Sequence, residues 1–145
     1  MKIGIVSDHR GYILKKELVT KLKVDYEVID YGTNSEESVD YPDYAFLLGE
    51  KINKEEINFG VAICGSGIGI SIACNKVKNV RCAKVDTVDE AFYTRNDNDS
   101  NVVALSAKLD VDLALAIIKK FVDTEFSNDE RHLRRINKIK NYEDK

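Results

Sequence analysis

Phe59-Gly60-Val61-Ala62-Ile63-Cys64-Gly65-Ser66-Gly67-Ile68-Gly69-Ile70-Ser71-Ile72-Ala73 carries the information that decides the fold. Phe59 to Ile63 is a short apolar run closed by a glycine-rich loop, the pattern of a strand buried on both faces. Ile68 to Val77 then reads as a helix. A strand, a tight loop and a helix in immediate succession make half of a βαβ unit.

The same alternation repeats on both sides of this stretch. Ile3 to Val6 reads as a strand, and Leu14, Leu18 and Leu22 recur every four residues as one face of a helix. Tyr26 to Asp30 predicts a second strand, and Tyr44 to Ile52 a helix opened near Asp40-Tyr41-Pro42-Asp43, with Pro in its first turn. Arg81 to Val85 and Val102 to Leu105 predict strands four and five. Val88 to Arg95 and Leu113 to Val122 predict the helices that follow them. A basic helix is expected at about 128–142. Short apolar strands alternating with helices, joined by right-handed crossovers, imply an α/β fold. The expected architecture is a Rossmann-like three-layer α/β/α sandwich on a five-stranded parallel sheet, as one domain over residues 1–145.

Composition narrows the classes of function. The chain has 145 residues, 43% of them hydrophobic, and 22 basic against 25 acidic residues give a net charge of −3. That balance excludes a polybasic nucleic-acid binder as the default and argues against disorder. No apolar run approaches the 18 or so residues of a membrane span. The start lacks the long apolar region of a secretory signal, so a cytoplasmic protein with no membrane partner is expected. Cys64, Cys74 and Cys82 cannot all pair, show no metal-ligand spacing, and read as free thiols.

In parallel sheets ligands bind beyond the carboxyl ends of the strands. Two polar stretches fall on that edge, Ser7-Asp8-His9 after strand one and Cys64-Gly65-Ser66-Gly67-Ile68-Gly69 after strand three. Glycines at 65, 67 and 69 allow a sharp turn, and the loop's N–H groups at a helix start suit an anion. The spacing is neither a dinucleotide fingerprint nor a P-loop. Read blandly, the loop is a tight strand-to-helix turn with Cys64 as a small buried hydrophobe. A cysteine against such a nest also suits chemistry, because helix N-termini activate thiols. His9 can bind a phosphate and Asp8 can accept sugar hydroxyls, although a lone His after a strand is more often structural. Arg131 and Arg135 are one helical turn apart, with His132 between them, and two guanidinium groups on one face suit a phosphate. The plainer reading is a solvated basic face over Leu133, Ile136 and Ile139. Arg95-Asn96-Asp97-Asn98-Asp99-Ser100-Asn101 reads as a polar turn before strand five.

Together these motifs resemble the type B ribose 5-phosphate isomerases and the related galactose 6-phosphate isomerase subunits. Ser7-Asp8-His9-Arg10-Gly11, Asp40-Tyr41-Pro42-Asp43-Tyr44-Ala45 and Cys64 through Ala73 carry the resemblance. Asn75-Lys76, Asn98-Asp99-Ser100-Asn101-Val102 and Arg131-His132-Leu133-Arg134-Arg135 complete it across nearly the whole chain. The resemblance implies an aldose–ketose isomerase of carbohydrate metabolism, in the pentose phosphate pathway, that interconverts ribose 5-phosphate and ribulose 5-phosphate without a metal or organic cofactor. It implies Cys64 as the base moving a proton between C1 and C2, and Ser66 with the amides of Gly65, Gly67, Ile68 and Gly69 around the enediolate. It further implies Asp8, Tyr41 and Asn98 around the sugar, and His9, Arg131 and Arg135 around the phosphate. The implied partner is a second copy, as a homodimer or a tetramer, whose sites borrow the Asn98 loop from the neighbour.

One departure matters. Where the family usually has His-Asn-Asp, this chain has Asp97-Asn98-Asp99, and that His is credited with opening the sugar ring. Asp97 does the work instead, or His132 takes it over, or the substrate or activity differs. The alternatives to the pentose isomerase are therefore a hexose 6-phosphate isomerase (galactose or allose type) and a non-catalytic sugar-phosphate binder.

Overall fold

β3 (Phe59–Cys64) lies at the centre of a five-stranded parallel sheet, and all six of its residues are buried. Around it stand β1 (Lys2–Ser7), β2 (Glu27–Asp30), β4 (Cys82–Lys84) and β5 (Val102–Ser106), in the order β2-β1-β3-β5-β4. The helices are α1 (Tyr12–Leu22), α2 (Tyr41–Asn53), α3 (Ile68–Cys74), α4 (Val88–Asn98), α5 (Val111–Asp123) and α6 (Glu130–Glu143). This computed structural model describes residues Met1–Lys145 and has the expected three-layer α/β/α architecture.

Each sheet face carries its own core. On one, Leu14, Leu18 and Leu22 of α1 and Ile117, Ile118 and Phe121 of α5 pack against Ile3, Ile5, Val61 and Ile63. On the other, Ala45, Leu48 and Ile52 of α2 and Ile70, Ala73 and Cys74 of α3 cover Val6, Ala62 and Ala104. Each fully buried Leu or Ile contributes about 1.5–3 kcal/mol of transfer free energy. Gly60 belongs to this packing, because a Cβ there would meet Leu48 Cδ2 at 2.9 Å.

Several boundaries differ from the sequence reading by a few residues, and three of the differences have a clear physical reason. Helix α3 ends at Cys74 rather than Val77, where Asn75 leaves the helix to bond elsewhere. Its side chain bonds both backbone groups of Cys82, at 2.9 and 2.8 Å, and so covers the open edge of the short strand β4. Helix α4 runs to Asn98, so Asp97 and Asn98 are helical and not part of a turn before strand five. Its polar last turn is held by Arg95, whose guanidinium bonds Asp99 Oδ1 at 2.8 Å and the Ser100 carbonyl at 2.7 Å. The basic helix α6 begins at Glu130, where the Asp129 carboxylate accepts from the Arg131 N–H.

The strand order sets the place of the site. The chain leaves β1 for β2 on one side and returns to β3 on the other, so β1 and β3 flank a topological switch point.

Candidate active site

Two of the sequence-predicted stretches meet at that switch point. Ser7 is paired with Ile63 in the sheet, and the Asp8 N–H donates to the Ile63 carbonyl at 3.0 Å. The Asp8 loop and the Cys64 loop therefore leave the sheet side by side. Asp8 Oδ1 accepts from the N–H groups of Arg10 and Gly11 at 2.9 and 3.1 Å, fixing the entry to α1. Oδ2 makes no hydrogen bond within the chain, which leaves it for a hydroxyl. His9 Nδ1 accepts from the Val39 N–H at 3.2 Å. In the neutral ring that places the remaining proton on Nε2, which becomes a donor.

Cys64 is 4% exposed, and its Sγ accepts from the Gly67 N–H at 3.2 Å. Gly67 makes this turn with φ +79°, and a Cβ would lie 2.9 Å from the Leu105 carbonyl carbon. Only glycine fits both the angle and the approach. From the β5 side, Ser106 Oγ donates to the Gly65 carbonyl at 2.8 Å and the Ala107 N–H to the Cys64 carbonyl at 2.9 Å. The loop is thus rigid before anything binds. Its amides divide into two sets. Gly67 N–H is turned to the cysteine sulfur, and Ile68 N–H bonds Ser66 Oγ at 3.1 Å. The N–H groups of Gly65, Ser66, Gly69 and Ile70 have no acceptor within the chain. Ser66 itself is exposed on the loop. Tyr41, at the start of α2, lies over the same loop, since a Cβ at Gly69 would be 2.9 Å from its hydroxyl oxygen.

Sequence reading gave no role to Arg10. Its side chain runs across Gly65, so that a Cβ there would meet Arg10 Cδ at 3.0 Å and a guanidinium nitrogen at 3.5 Å. No carboxylate lies within salt-bridge distance of it. The glycine loop was the signal, because a cation one residue beyond His9 faces the same crevice.

The remaining predicted residues lie elsewhere. Asn98 ends α4, and its carbonyl accepts from Arg81 Nε at 3.1 Å, just before β5 begins at Val102. Val102 pairs with Gly60 and Ser106 with Cys64, so the two ends of these strands are about 13 Å apart. Within one chain, Asp97, Asn98, Arg131, His132 and Arg135 do not join the Cys64 loop. Asp97, Arg131 and His132 form a second cluster where α4 meets α6. There His132 Nε2 lies 3.7 Å from Asp97 Oδ1, and Nδ1 lies 2.8 Å from Ser127 Oγ. Arg131 reaches back to Asp129, with Nε 3.3 Å from Oδ1. The hydrogen bond from Arg131 holds the Asp129 carboxyl below the usual range, and the same contact raises Arg131. Arg135 is exposed one turn further along α6.

Cys74 and Cys82 play no part in either cluster. Cys74 is buried under α2, and its neighbouring thiol and burial push Cys82 well up. No group of three or more His, Cys, Asp or Glu side chains is placed to hold a metal ion, and no helix is long and apolar enough to cross a membrane.

Comparison with known proteins identifies the family. Residues 3–139 match the ribose/galactose isomerase family. Ribose-5-phosphate isomerase B of Escherichia coli is 37% identical over 95% of this chain and 93% of its own length. The ribose-5-phosphate isomerase B of Clostridium thermocellum superposes with a TM-score of 0.95 at 45% identity, covering 99% of this chain and 98% of that one. The Mycoplasma genitalium enzyme, solved with bound ribulose-5-phosphate, superposes with a TM-score of 0.94 at 38% identity, covering 99% and 97%. The chain belongs to the ribose/galactose isomerase family of sugar-phosphate isomerases, the family of the type B ribose-5-phosphate isomerases.

Proposed function

We propose that the chain interconverts ribose 5-phosphate and ribulose 5-phosphate, with Cys64 carrying the proton. The observation that carries this reading is the Cys64 sulfur beside a rigid loop whose Gly65, Ser66, Gly69 and Ile70 N–H groups lack acceptors. A thiolate there removes the C2 proton of the open-chain aldose. The electron pair becomes the C1–C2 double bond, and the carbonyl pair moves to O1 as an enediolate oxygen. The free N–H groups and Ser66 meet that charge. The C1–C2 double-bond pair then takes the proton back at C1 while the O2 proton passes to O1, so that O2 becomes a carbonyl and O1 a hydroxyl, which gives the ketose. Asp8 Oδ2 and Tyr41 hold hydroxyls of the sugar.

His9, Arg131 and Arg135 bind the phosphate, and Asn98 a sugar oxygen. Asn98 and the arginines lie at the far end of the sheet from Cys64, so a second copy supplies them in a homodimer with two composite sites. The three free thiols suit a reducing cytoplasm. The five-carbon substrate places the reaction in the pentose phosphate pathway and needs no organic cofactor. A hexose 6-phosphate is the second reading, favoured by one feature, Asp97 beside the sugar-facing Asn98. Conversion in deuterium oxide of ribose 5-phosphate and of galactose and allose 6-phosphates separates the two. Deuterium at C1 of ribulose 5-phosphate, and none from the hexoses, is expected. Turnover of a hexose phosphate alone overturns the pentose assignment.

A further inference from the structure

The fold treats the two halves of Asn98 differently. Its carbonyl accepts from Arg81 Nε at 3.1 Å, while its side-chain amide is exposed and makes no hydrogen bond within the chain. The backbone is gripped and the amide is presented outward. Three charged side chains supply the grip.

Asp99 is its centre. It closes α4 in the left-handed region, at φ 47° and ψ 43°, and so turns the chain from the helix toward β5. Its Oδ1 accepts from Arg95 Nη1 at 2.8 Å, and its Oδ2 lies 3.5 Å from Arg81 Nη2. Its carbonyl accepts from the same Arg81 nitrogen at 2.7 Å. One carboxylate therefore joins two guanidinium groups that would otherwise repel. Both arginines are anchored to fixed parts of the fold. The Arg95 guanidinium lies 4.8 Å from the centre of the Phe59 ring and 5.8 Å from that of Phe121, and its Nε donates to the Thr124 carbonyl at 3.2 Å. Arg81 stands immediately before β4, where its N–H donates to the Asn101 side chain at 2.8 Å. The two side chains are only 8% and 15% exposed, so neither cation keeps much water. Burial pushes Arg81 below the ordinary guanidinium range, Asp99 opposes that, and Arg95 adds to it. Without the carboxylate, two buried cations would face each other uncompensated. Water alone can satisfy the last carbonyls of a helix. Here two buried arginines converge on them instead, and the group they leave free is the Asn98 amide.

We propose that Arg81, Asp99 and Arg95 form a clasp that positions Asn98 for the site of the neighbouring subunit, with Asp99 as the residue that joins its two arms. The assignment rests on the composite isomerase site described above. None of the three touches the substrate. Together they fix the Asn98 backbone, so that the amide meets a sugar oxygen without first losing conformational freedom. Because Asn98 serves the partner's sulfur, a broken clasp harms the other subunit's site and spares its own.

Heterodimers test this, purified through a different affinity tag on each chain and assayed with ribose 5-phosphate well below KM. Asp99→Asn keeps the size of the side chain, tolerates the left-handed backbone and removes the charge. As homodimers, Asp99→Asn and Asn98→Ala should each lower kcat/KM by about fivefold, mostly through KM, the scale of one hydrogen bond to the sugar. Asp99→Asn added to Asn98→Ala should cost nothing further, since the clasp acts only through Asn98. An Asp99→Asn chain paired with a Cys64→Ala chain has one site with both its sulfur and its clasp intact, and should reach about half the parental kcat/KM. A clasp that merely supported its own chain would leave that heterodimer at no more than about half the activity of the Asp99→Asn homodimer. Arg81→Lys keeps the charge and loses the fork. It should repeat the pattern, and it decides the matter if Asp99→Asn yields too little folded protein. An added loss in the double variant overturns the proposal. So does an Asp99→Asn heterodimer held at the lower level while the matching Asn98→Ala heterodimer reaches half. If the Asn98→Ala heterodimer also stays low, the composite site itself is overturned, and the proposal with it.

Discussion

At the carboxyl end of β3 the candidate groups Asp8 and Cys64 are buried and cross-bonded from neighbouring strands. Where α4 meets α6 the candidate groups stand on the surface, held by short polar links. Cys64 is 4% exposed and fixed by Gly67 N–H, and the loop around it is tied to β5 through Ser106 and Ala107. Asp97 and Arg131 have side chains 40% and 65% exposed. The first region gathers a cysteine sulfur and a set of unpaired amides within one chain. The second gathers cations and an imidazole beside a carboxylate, with no buried loop among them. On the proposed function, the difference separates C–H chemistry built into the core of the fold from phosphate contacts that depend on what packs against α4 and α6.

The sharpest way to break that division is to remove the sulfur. Cys64→Ala should lower kcat by at least about 10²-fold, the scale of a general base, while substrate still binds and stabilises the protein in a thermal shift assay. Near-parental kcat in that variant would remove the core-built half of the comparison.

Mixing two defective chains tests whether the halves come from different copies. Chains with Cys64→Ala are mixed and refolded with chains carrying Arg131→Ala and Arg135→Ala, at substrate well below KM. In a two-fold dimer, half of the randomly assorted dimers carry one intact composite site out of two. Activity should then recover to about one quarter of the parental value. If both halves of the site came from one chain, no mixture would recover.

The single Arg131→Ala and Arg135→Ala variants should act mainly on KM. A charge-assisted hydrogen bond is worth about 1.5–3 kcal/mol, which corresponds to roughly 10- to 100-fold. Inorganic phosphate should weaken as an inhibitor in parallel. The effect of Arg131 is expected at the low end, because Asp129 competes for its guanidinium. Undiminished phosphate inhibition in both variants would place the phosphate elsewhere.

How much of each region could be read in the sequence follows from the same contrast. The strand Phe59 to Ile63, its glycine loop and the helix after it are local, and their periodicity and glycine spacing appear directly in the chain. The rule that ligands gather at carboxyl ends then aligned Asp8 and His9 with Cys64 correctly. The last turn of α4 escaped because no apolar face marks it. Arg95, Thr94, Asp99 and Ser100 stabilise it through polar contacts, including Thr94 Oγ1 to Ser100 Oγ at 2.6 Å. Asn75 and Asn101 were recognisable as motif residues, yet their amides serve as splints for the backbone of Asn79, Arg81 and Cys82. The approach of Asp97 to His132 joins two helices and could not be read from spacing. Arg10 shows a milder case, since its place over Gly65 depends on two loops lying side by side.

Arg10 also supplies the smallest test of the comparison. Its guanidinium is the cation nearest the glycine loop at the core-built end, and no carboxylate neutralises it. If a dianionic sugar phosphate enters this crevice, Arg10 raises its local concentration and steadies it without touching the reacting carbons. The group is exposed, so water and salt screen it strongly. Arg10→Ala should therefore raise KM only about two- to fivefold, as expected of a screened charge, and leave kcat unchanged. The difference from the parent should shrink as ionic strength rises, whereas the effects of Cys64→Ala on kcat should not. A kcat loss in Arg10→Ala that persists in high salt would mean that the side chain shapes the loop by packing over Gly65. The two ends of the molecule would then differ in more than the location of their charges, because even the cation at the core end would be part of its rigid frame.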